Sequence, residues 1–282
     1  MGNGATGPSR RTIAGAAMLW LAAPALAARV APRRIVSLSP CTDAILIELV
    51  TPDRIAALSH FSHDPIGSTI AERAARLPIT HETAEEVVLL RPDLVLASRH
   101  TDRATRAALA RAGLTVELFD VCDTIEAALA EIARIAALVG EPGAGARLRR
   151  RIEIALACAS APLGWRPRPA LIFQPNGFVA GGGTLPDALL QRAGFTNAAA
   201  HYGVRKWGTV RLEDLLQAPP AILFLGEHGR APWADRVLTH PALAKLAGHT
   251  PRVTFPERLL YCAGPAMVRA VATFARGREV LA

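Results

Sequence analysis

Rings, guanidinium groups and imidazoles that could hold a large ligand recur at a few points of this 282-residue chain: His60, Phe61, Arg99, Phe178, Arg230 and Tyr261. Aromatic faces offer flat apolar walls, and arginine forks bind carboxylates and other oxygen groups. His60-Phe61-Ser62-His63 places two imidazoles three residues apart, which would ligate a metal together only on a helix. The stretch is predicted as loop and no third ligand lies nearby, so the expectation is a single contact from His60 to a chelate and not a bare metal site. Gly181-Gly182-Gly183-Thr184 precedes a helical pattern and could present N–H groups to an anion or simply form a tight turn. It lacks the GK[ST] and GxGxxG spacings of nucleotide loops. No GxSxG or HExxH is present, and no Ser, His and Asp set can be assembled from sequence order, so no catalytic residue is assigned.

These residues need a scaffold. Short apolar runs at 35–38, 55–58, 94–97, 116–119, 170–173, 222–225 and 252–255 read as strands. Helical patterns separate them at 43–50, 84–90, 103–112, 185–193, 213–218, 241–246 and 266–276. Alternating β and α predicts parallel sheets covered by helices. The middle differs: 124–139 and 142–159 are consecutive helices with no strand between them, the second opened by Pro142 where its missing N–H costs little. The expected fold class is therefore α/β, two parallel-sheet α/β lobes joined by a single long backbone helix. The lobes are expected at 33–123 and 168–282, with a helical segment at 124–160. Ligands bind outside the carboxyl ends of such strands, which selects the loops 39–42, 59–64, 98–100, 174–178, 227–230 and 260–262.

An internal repeat supports two lobes. The stretch from Glu85 to Leu96 lies over Glu213 to Phe224 without a gap, each an acid-opened helix, a proline stop and a buried strand. Glu85 and Glu213 occupy the same place in it. Four cysteines, Cys41, Cys122, Cys158 and Cys262, are spaced by 81, 36 and 104 residues, which excludes a CxxC motif and leaves three possible pairings open.

Residues 1–27 read as an export signal: Arg10-Arg11, an apolar run from Ile13, and Ala25-Leu26-Ala27 as a cleavage site. The paired arginines resemble a twin-arginine signal, although a general secretory signal also carries positive charge there. A periplasmic location follows as the expectation, in a compartment that permits disulfides. No apolar run reaches the roughly 20 residues that span a bilayer. Lys and Arg total 32 against 24 Asp and Glu, but no basic block of five or six occurs, so nucleic acid is not indicated as a partner.

The segments Arg34-Ile35-Val36-Ser37-Leu38-Ser39-Pro40, Glu85 with Arg91-Pro92-Asp93-Leu94-Val95-Leu96-Ala97, Gly183-Thr184-Leu185, Ala193-Gly194-Phe195-Thr196-Asn197, Trp207, Glu213 and His240-Pro241-Ala242-Leu243 follow one another in an order that resembles the periplasmic binding proteins for ferric siderophores and cobalamin. The resemblance runs from about Arg33 to the C-terminus. It implies a two-lobe receptor whose cleft holds a metal chelate and which docks on an ABC permease, driven by its ATPase at the inner membrane. It also implies that Glu85 and Glu213, one per lobe, meet arginines of that permease. It adds residues 202–207 to the cleft, with Tyr202, Arg205, Lys206 and Trp207. The chain departs from cobalamin receptors in carrying Ser98 where a tryptophan follows the third strand, while Trp207 matches a cleft tryptophan. The expected ligand is a ferric siderophore, with cobalamin or haem as further candidates and no intrinsic cofactor. The alternative is an exported enzyme or metal-chelate chaperone on the same scaffold.

Overall fold

The computed structural model describes residues 1–4, 30–227, 236–246 and 248–281. The chain divides into two compact units, Met1–Val30 and Ala31–Ala282. The expected export signal lies almost wholly outside the described residues, as does Arg230. Among the described residues, no helix is long and apolar enough to cross a membrane.

The second unit carries two sheets. Its first half runs β1 (Ile35–Ser37), α1 (Pro40–Leu49), β2 (Ile55–Ser59), α2 (Ala71–Ala74), β3 (Ile79–Thr80), α3 (Ala84–Leu89), β4 (Leu94–Ser98), α4 (Arg103–Arg111) and β5 (Val116–Phe119). Two helices follow, α5 (Ile125–Leu138) and α6 (Pro142–Ala159). The second half runs β6 (Arg168–Phe173), β7 (Phe178–Ala180), α7 (Leu185–Arg192), β8 (Phe195–Asn197), β9 (Trp207–Thr209), α8 (Leu212–Gln217), β10 (Ile222–Leu225), α9 (Pro241–Leu246), β11 (Arg252–Thr254) and α10 (Ala266–Leu281).

The first sheet is parallel throughout, in the order β3-β2-β1-β4-β5. Chain direction across it reverses between β1 and β4, so a crevice opens at their carboxyl ends. The second sheet, β11-β10-β6-β7-β9 with β8 also on β6, is mixed. β7 runs antiparallel to β6 and to β9, where only parallel pairing was expected. The cause is a tight reversal at Pro175-Asn176-Gly177, in which Asn176 and Gly177 adopt φ of 59° and 72°. Such a reversal returns the chain beside its own strand with no crossover helix. A Cβ on Gly177 would also lie 2.5 Å from the Val210 carbonyl oxygen, so the turn requires glycine twice over.

Both sheets bury both faces. In β4, Leu94 and Leu96 point to one core and Val95 and Ala97 to another; in β6, Ala170 and Ile172 alternate with Leu171 and Phe173. The inner faces share one continuous core, running from Ile35 and Leu96 through Ile132, Leu148 and Ile152 to Ile172, Phe224 and Phe274. The apolar positions of α6, Leu148, Ile152 and Leu156, fall one turn apart and face this core. Each is worth about 1.5–3 kcal/mol of burial. Both ends of α6 are fastened. Arg54 pairs with Glu141 at 2.8 Å before its first turn, and Arg278 of α10 donates to the carbonyls of Ala159 and Ser160 at its last. The same guanidinium donates to the Ala193 carbonyl after α7, satisfying acceptors that helix ends leave open.

Of the three possible cysteine pairings the structure contains Cys41–Cys262, which ties the start of α1 in the first lobe to the loop before α10 in the second. Cys122 and Cys158 are free. Cys122 lines the same small cavity as Cys41, of about 50 Å³. Burial, reinforced by neighbouring Glu131, pushes its thiol up to about 12. Thiol–disulfide exchange needs a thiolate, so this neighbour leaves the bond alone. Lys206 and Asp123, 2.7 Å apart, make a second link between the lobes.

Asp43, in the first turn of α1, is fully buried. It accepts hydrogen bonds from the Ser59 amide at 3.2 Å and from the Ser59 hydroxyl. Burial outweighs these bonds and raises its carboxyl from 3.8 to about 7.

Two outcomes follow. Non-reducing peptide mapping should recover Cys41 joined to Cys262, and a Cys41→Ser, Cys262→Ser double variant should lose up to about 5 kcal/mol of stability, the chain-entropy value for so long a loop. A disulfide through Cys122 would refute the pairing. For Asp43, the folded state keeps its proton up to about pH 7 while the unfolded chain loses it near pH 4. Stability should therefore fall as pH rises between those values, by on the order of 1.4 kcal/mol per unit from this group, and level off above. Urea unfolding of Asp43→Asn, which retains an acceptor for Ser59, should lack that slope; an unchanged slope would assign it to other groups.

Candidate functional site

The crevice between β1 and β4 opens into a cavity of about 820 Å³. Its walls come from the first lobe: Leu38, Ser39 and Pro40 after β1, Phe61 after β2, His81 to Glu85 before and in α3, and Ser98 with His100 to Asp102 after β4. Ser39 and Ser98 also line the small cavity beneath, together with Tyr261 of the second lobe. The large cavity therefore adjoins the second lobe through these two serines.

On the second lobe the structure brings together three of the expected rings. Phe178 stands in β7 and Trp207 in β9, both expected in loops. In the antiparallel register Trp207 opposes Ala180, so Phe178 is its diagonal neighbour on the same face, within reach for rings. The two stack with centroids 5.6 Å apart and 6° between planes. Tyr261 tilts against both, at 6.5 Å from Phe178 and 6.1 Å from Trp207. It remains 47% exposed, so the cluster keeps an open apolar face. The adjacent Arg258 pairs with Glu227 at 2.8 Å.

On the first lobe, His60 and Phe61 sit in a single 3-10 turn after β2, with ring centroids 3.9 Å apart. His81 stacks on His60 at 5.2 Å. The Nδ1 of His60 lies 3.0 Å from Glu82 Oε1, and its backbone N–H donates to the same oxygen at 3.3 Å. His63 is separated from it in role: its Nε2 lies 2.8 Å from the Ala74 carbonyl. Phe61 is 48% exposed.

Other expected residues fall elsewhere. Tyr202 donates its hydroxyl to the Ala218 carbonyl and packs on the outer core of the second sheet, where burial raises its pKa. Arg99 is exposed and 3.3 Å from Asp120. The glycine run serves the turn: the Gly183 N–H donates to Asp187, and a Cβ on Gly181 would lie 2.6 Å from the Arg205 carbonyl oxygen.

Glu85 and Glu213 are each the second residue of a six-residue helix, α3 and α8, on the outer layers of their sheets. Each is followed nine residues later by the first residue of a strand, β4 or β10. Both are exposed. A hydrogen bond from its own N–H, then Arg211 at 3.5 Å, hold Glu213 below the usual carboxylate range. Glu85 also lines the large cavity.

His81 and Glu82 were not singled out in the sequence. They are placed by α3: Thr83 caps it, accepting from the Glu86 N–H at 3.3 Å, and Glu86 reaches back to the Thr80 hydroxyl and the His81 N–H, both at 2.7 Å. Those two bonds hold the Glu86 carboxyl below its ordinary range. The one legible signal is the Thr83-x-x-Glu86 spacing of a helix cap.

Comparison with known families matches residues 35–248 to the one described as periplasmic binding protein. A cobalamin-binding protein of Halobacterium salinarum (strain ATCC 29341 / DSM 671 / R1) is 30% identical over 173 residues, 60% of this chain and 47% of that one. The chain thus spans about half the length of the cobalamin-binding proteins it matches. Among solved structures, the periplasmic heme-binding protein BhuT in complex with two hemes is 26% identical, with a TM-score of 0.68 over 89% of this chain and 99% of that one. The vitamin B12 binding protein BtuF of Vibrio cholerae shares the fold, at 20% identity and a TM-score of 0.63 over 88% and 97% of the two chains. With a family match across most of its length, carried on two sheets that share one core, the chain belongs to the periplasmic binding proteins.

Proposed function

We propose that this protein is the exported receptor of an ABC importer and that its cargo is a metal tetrapyrrole, a corrinoid or a haem. The observation that carries this reading is the stacked wall of Phe178, Trp207 and Tyr261, which offers a flat macrocycle an apolar face. His60 and Phe61 contribute from the first lobe. The cobalamin- and heme-binding relatives support the class. An anionic ferric siderophore is the second reading, and it rests on Arg99 and Arg230. Arg99 already has Asp120 as a partner, which weakens it.

In this reading residues 1–27 are removed on export, and the lobes at 33–123 and 168–282, with the helical segment 124–160, work in the periplasm. The protein releases its ligand unchanged and catalyses nothing. Glu85 and Glu213 dock the two lobes on arginines of the permease, whose ATPase powers uptake; their equivalent positions on outer helices support this.

Titration with hemin, aquocobalamin and a ferric siderophore, followed by absorbance and tryptophan quenching, tests the cargo. Trp207→Ala should weaken the tetrapyrrole that binds by about 1–3 kcal/mol, the range for losing a large aromatic wall. Saturable binding of the siderophore alone, with Arg99→Ala and Arg230→Ala the damaging variants, would replace the tetrapyrrole reading. Docking is tested by uptake in cells. Glu213→Ala should keep ligand affinity and lower transport; Glu213→Lys should be worse, because like charges facing each other cost several kcal/mol; and the double Glu85→Ala, Glu213→Ala variant should be the least active, because neither lobe then has its carboxylate. Normal uptake in the double variant would end the docking assignment, and lost ligand binding in Glu85→Ala would move that residue into the cavity's function.

A further inference from the structure

We infer that Glu82 is the positioning residue of the site, holding His60 as the Nδ1–H tautomer with its Nε2 lone pair available to the metal of the cargo. The inference rests on the tetrapyrrole reading and adds to it the class of cargo favoured: one whose metal has an exchangeable axial position.

The geometry is specific. A carboxylate oxygen can only accept, so the 3.0 Å contact between His60 Nδ1 and Glu82 Oε1 places the ring proton on Nδ1. In the neutral ring Nε2 then carries the lone pair, and among the described residues it has no partner. The ring is fixed as well as the proton, since Phe61 and His81 pack on it. Phe61, His81 and Glu82 all line the large cavity. An imidazole tied through Nδ1–H to a carboxylate is a better donor through its other nitrogen, and its orientation is set.

Glu82 reaches this position at a conformational cost. Its φ is +60°, in the left-handed region that a non-glycine residue rarely adopts. Neighbouring bonds hold it there: its N–H donates to Thr80 Oγ1 at 3.2 Å, and Thr80 and His81 are anchored on Glu86. A surface turn with no task would be relieved by Gly or Asn. Strained backbone over-determined by its surroundings and aimed at an imidazole packed on the cavity-lining rings of Phe61 and His81 marks a placed group.

The conformation supplies its own control. Glu82→Gly removes the carboxylate and also relieves the positive φ, so it deletes the contact without adding backbone strain. Glu82→Gln keeps an acceptor and should behave like the wild type. Long-range proton–nitrogen NMR of the ligand-free protein should show His60 as the Nδ1–H tautomer in wild type and Glu82→Gln, and a mixture in Glu82→Gly. An Nε2–H tautomer in the wild type would overturn the role of Glu82, whatever the cargo. In the second arm, hemin and aquocobalamin are titrated into each variant. For whichever binds the wild type, His60→Ala and Glu82→Gly should both shift the visible bands and weaken binding roughly ten-fold or more. Metal-free protoporphyrin IX, which has no metal to ligate, should bind wild type, Glu82→Gly and Glu82→Gln alike. Wild-type binding of hemin or aquocobalamin with bands that neither variant moves would overturn the axial contact while leaving the tetrapyrrole reading standing. Failure of both to bind the wild type would instead remove that reading, with the tautomer still deciding whether Glu82 holds His60.

Discussion

The shared inner core is the constraint on which the remaining architecture depends. A strand buried on both faces cannot alternate apolar with polar residues, and β1, β4, β6 and β10 do not. Their outer faces are covered separately, but their inner faces meet the same helices, α5, α6 and α10, so the lobes are two sheets on one core. Opening the cleft by a large rotation would have to strip apolar surface from α6, at roughly 25 cal/mol for every Å² exposed. The Arg54 and Arg278 fastenings and the cross-lobe disulfide act on the same coordinate. The core between them thus holds the two sheets at a fixed separation.

Several carboxylates around the first lobe illustrate how surroundings assign work to one chemical group. Asp43 is buried beneath β2 and favours its proton. Glu86, open to water but bonded by Thr80 and the His81 amide, favours the charge and braces a turn. Glu82 is directed at an imidazole, and Glu85, one residue before Glu86, at solvent and the cavity rim. Residues 82, 85 and 86 lie within five positions of one another, and their separation in role comes from the left-handed residue and the helix cap between them.

The apolar strands and the two middle helices were legible because each combines a clear pattern with a turn signal at its end; the helix at 142–159 was read to its observed limits. The repeat containing Glu85 and Glu213 was legible for the same reason. β7 and β9 were not. Each is three residues long, contains alanine or glycine, and exists through pairing with a partner that sequence alone does not specify. Phe178 and Trp207 were thus identified as residues while their support was not. Cys41 and Cys262 carry no local signal of their pairing, and the positive φ of Glu82 comes from tertiary bonds, in a residue type that gives no warning of it.

Cys41 and Cys262 are 221 residues apart, so their bond makes most of the second unit into one closed ring of chain. A protease that cuts a single surface loop inside that ring leaves two chain segments in one covalent piece, joined through the disulfide, with both sheets still held together and the shared core still beneath them. Separation into fragments needs either a second cut or a reductant. A single scission is then a local event at the loop concerned.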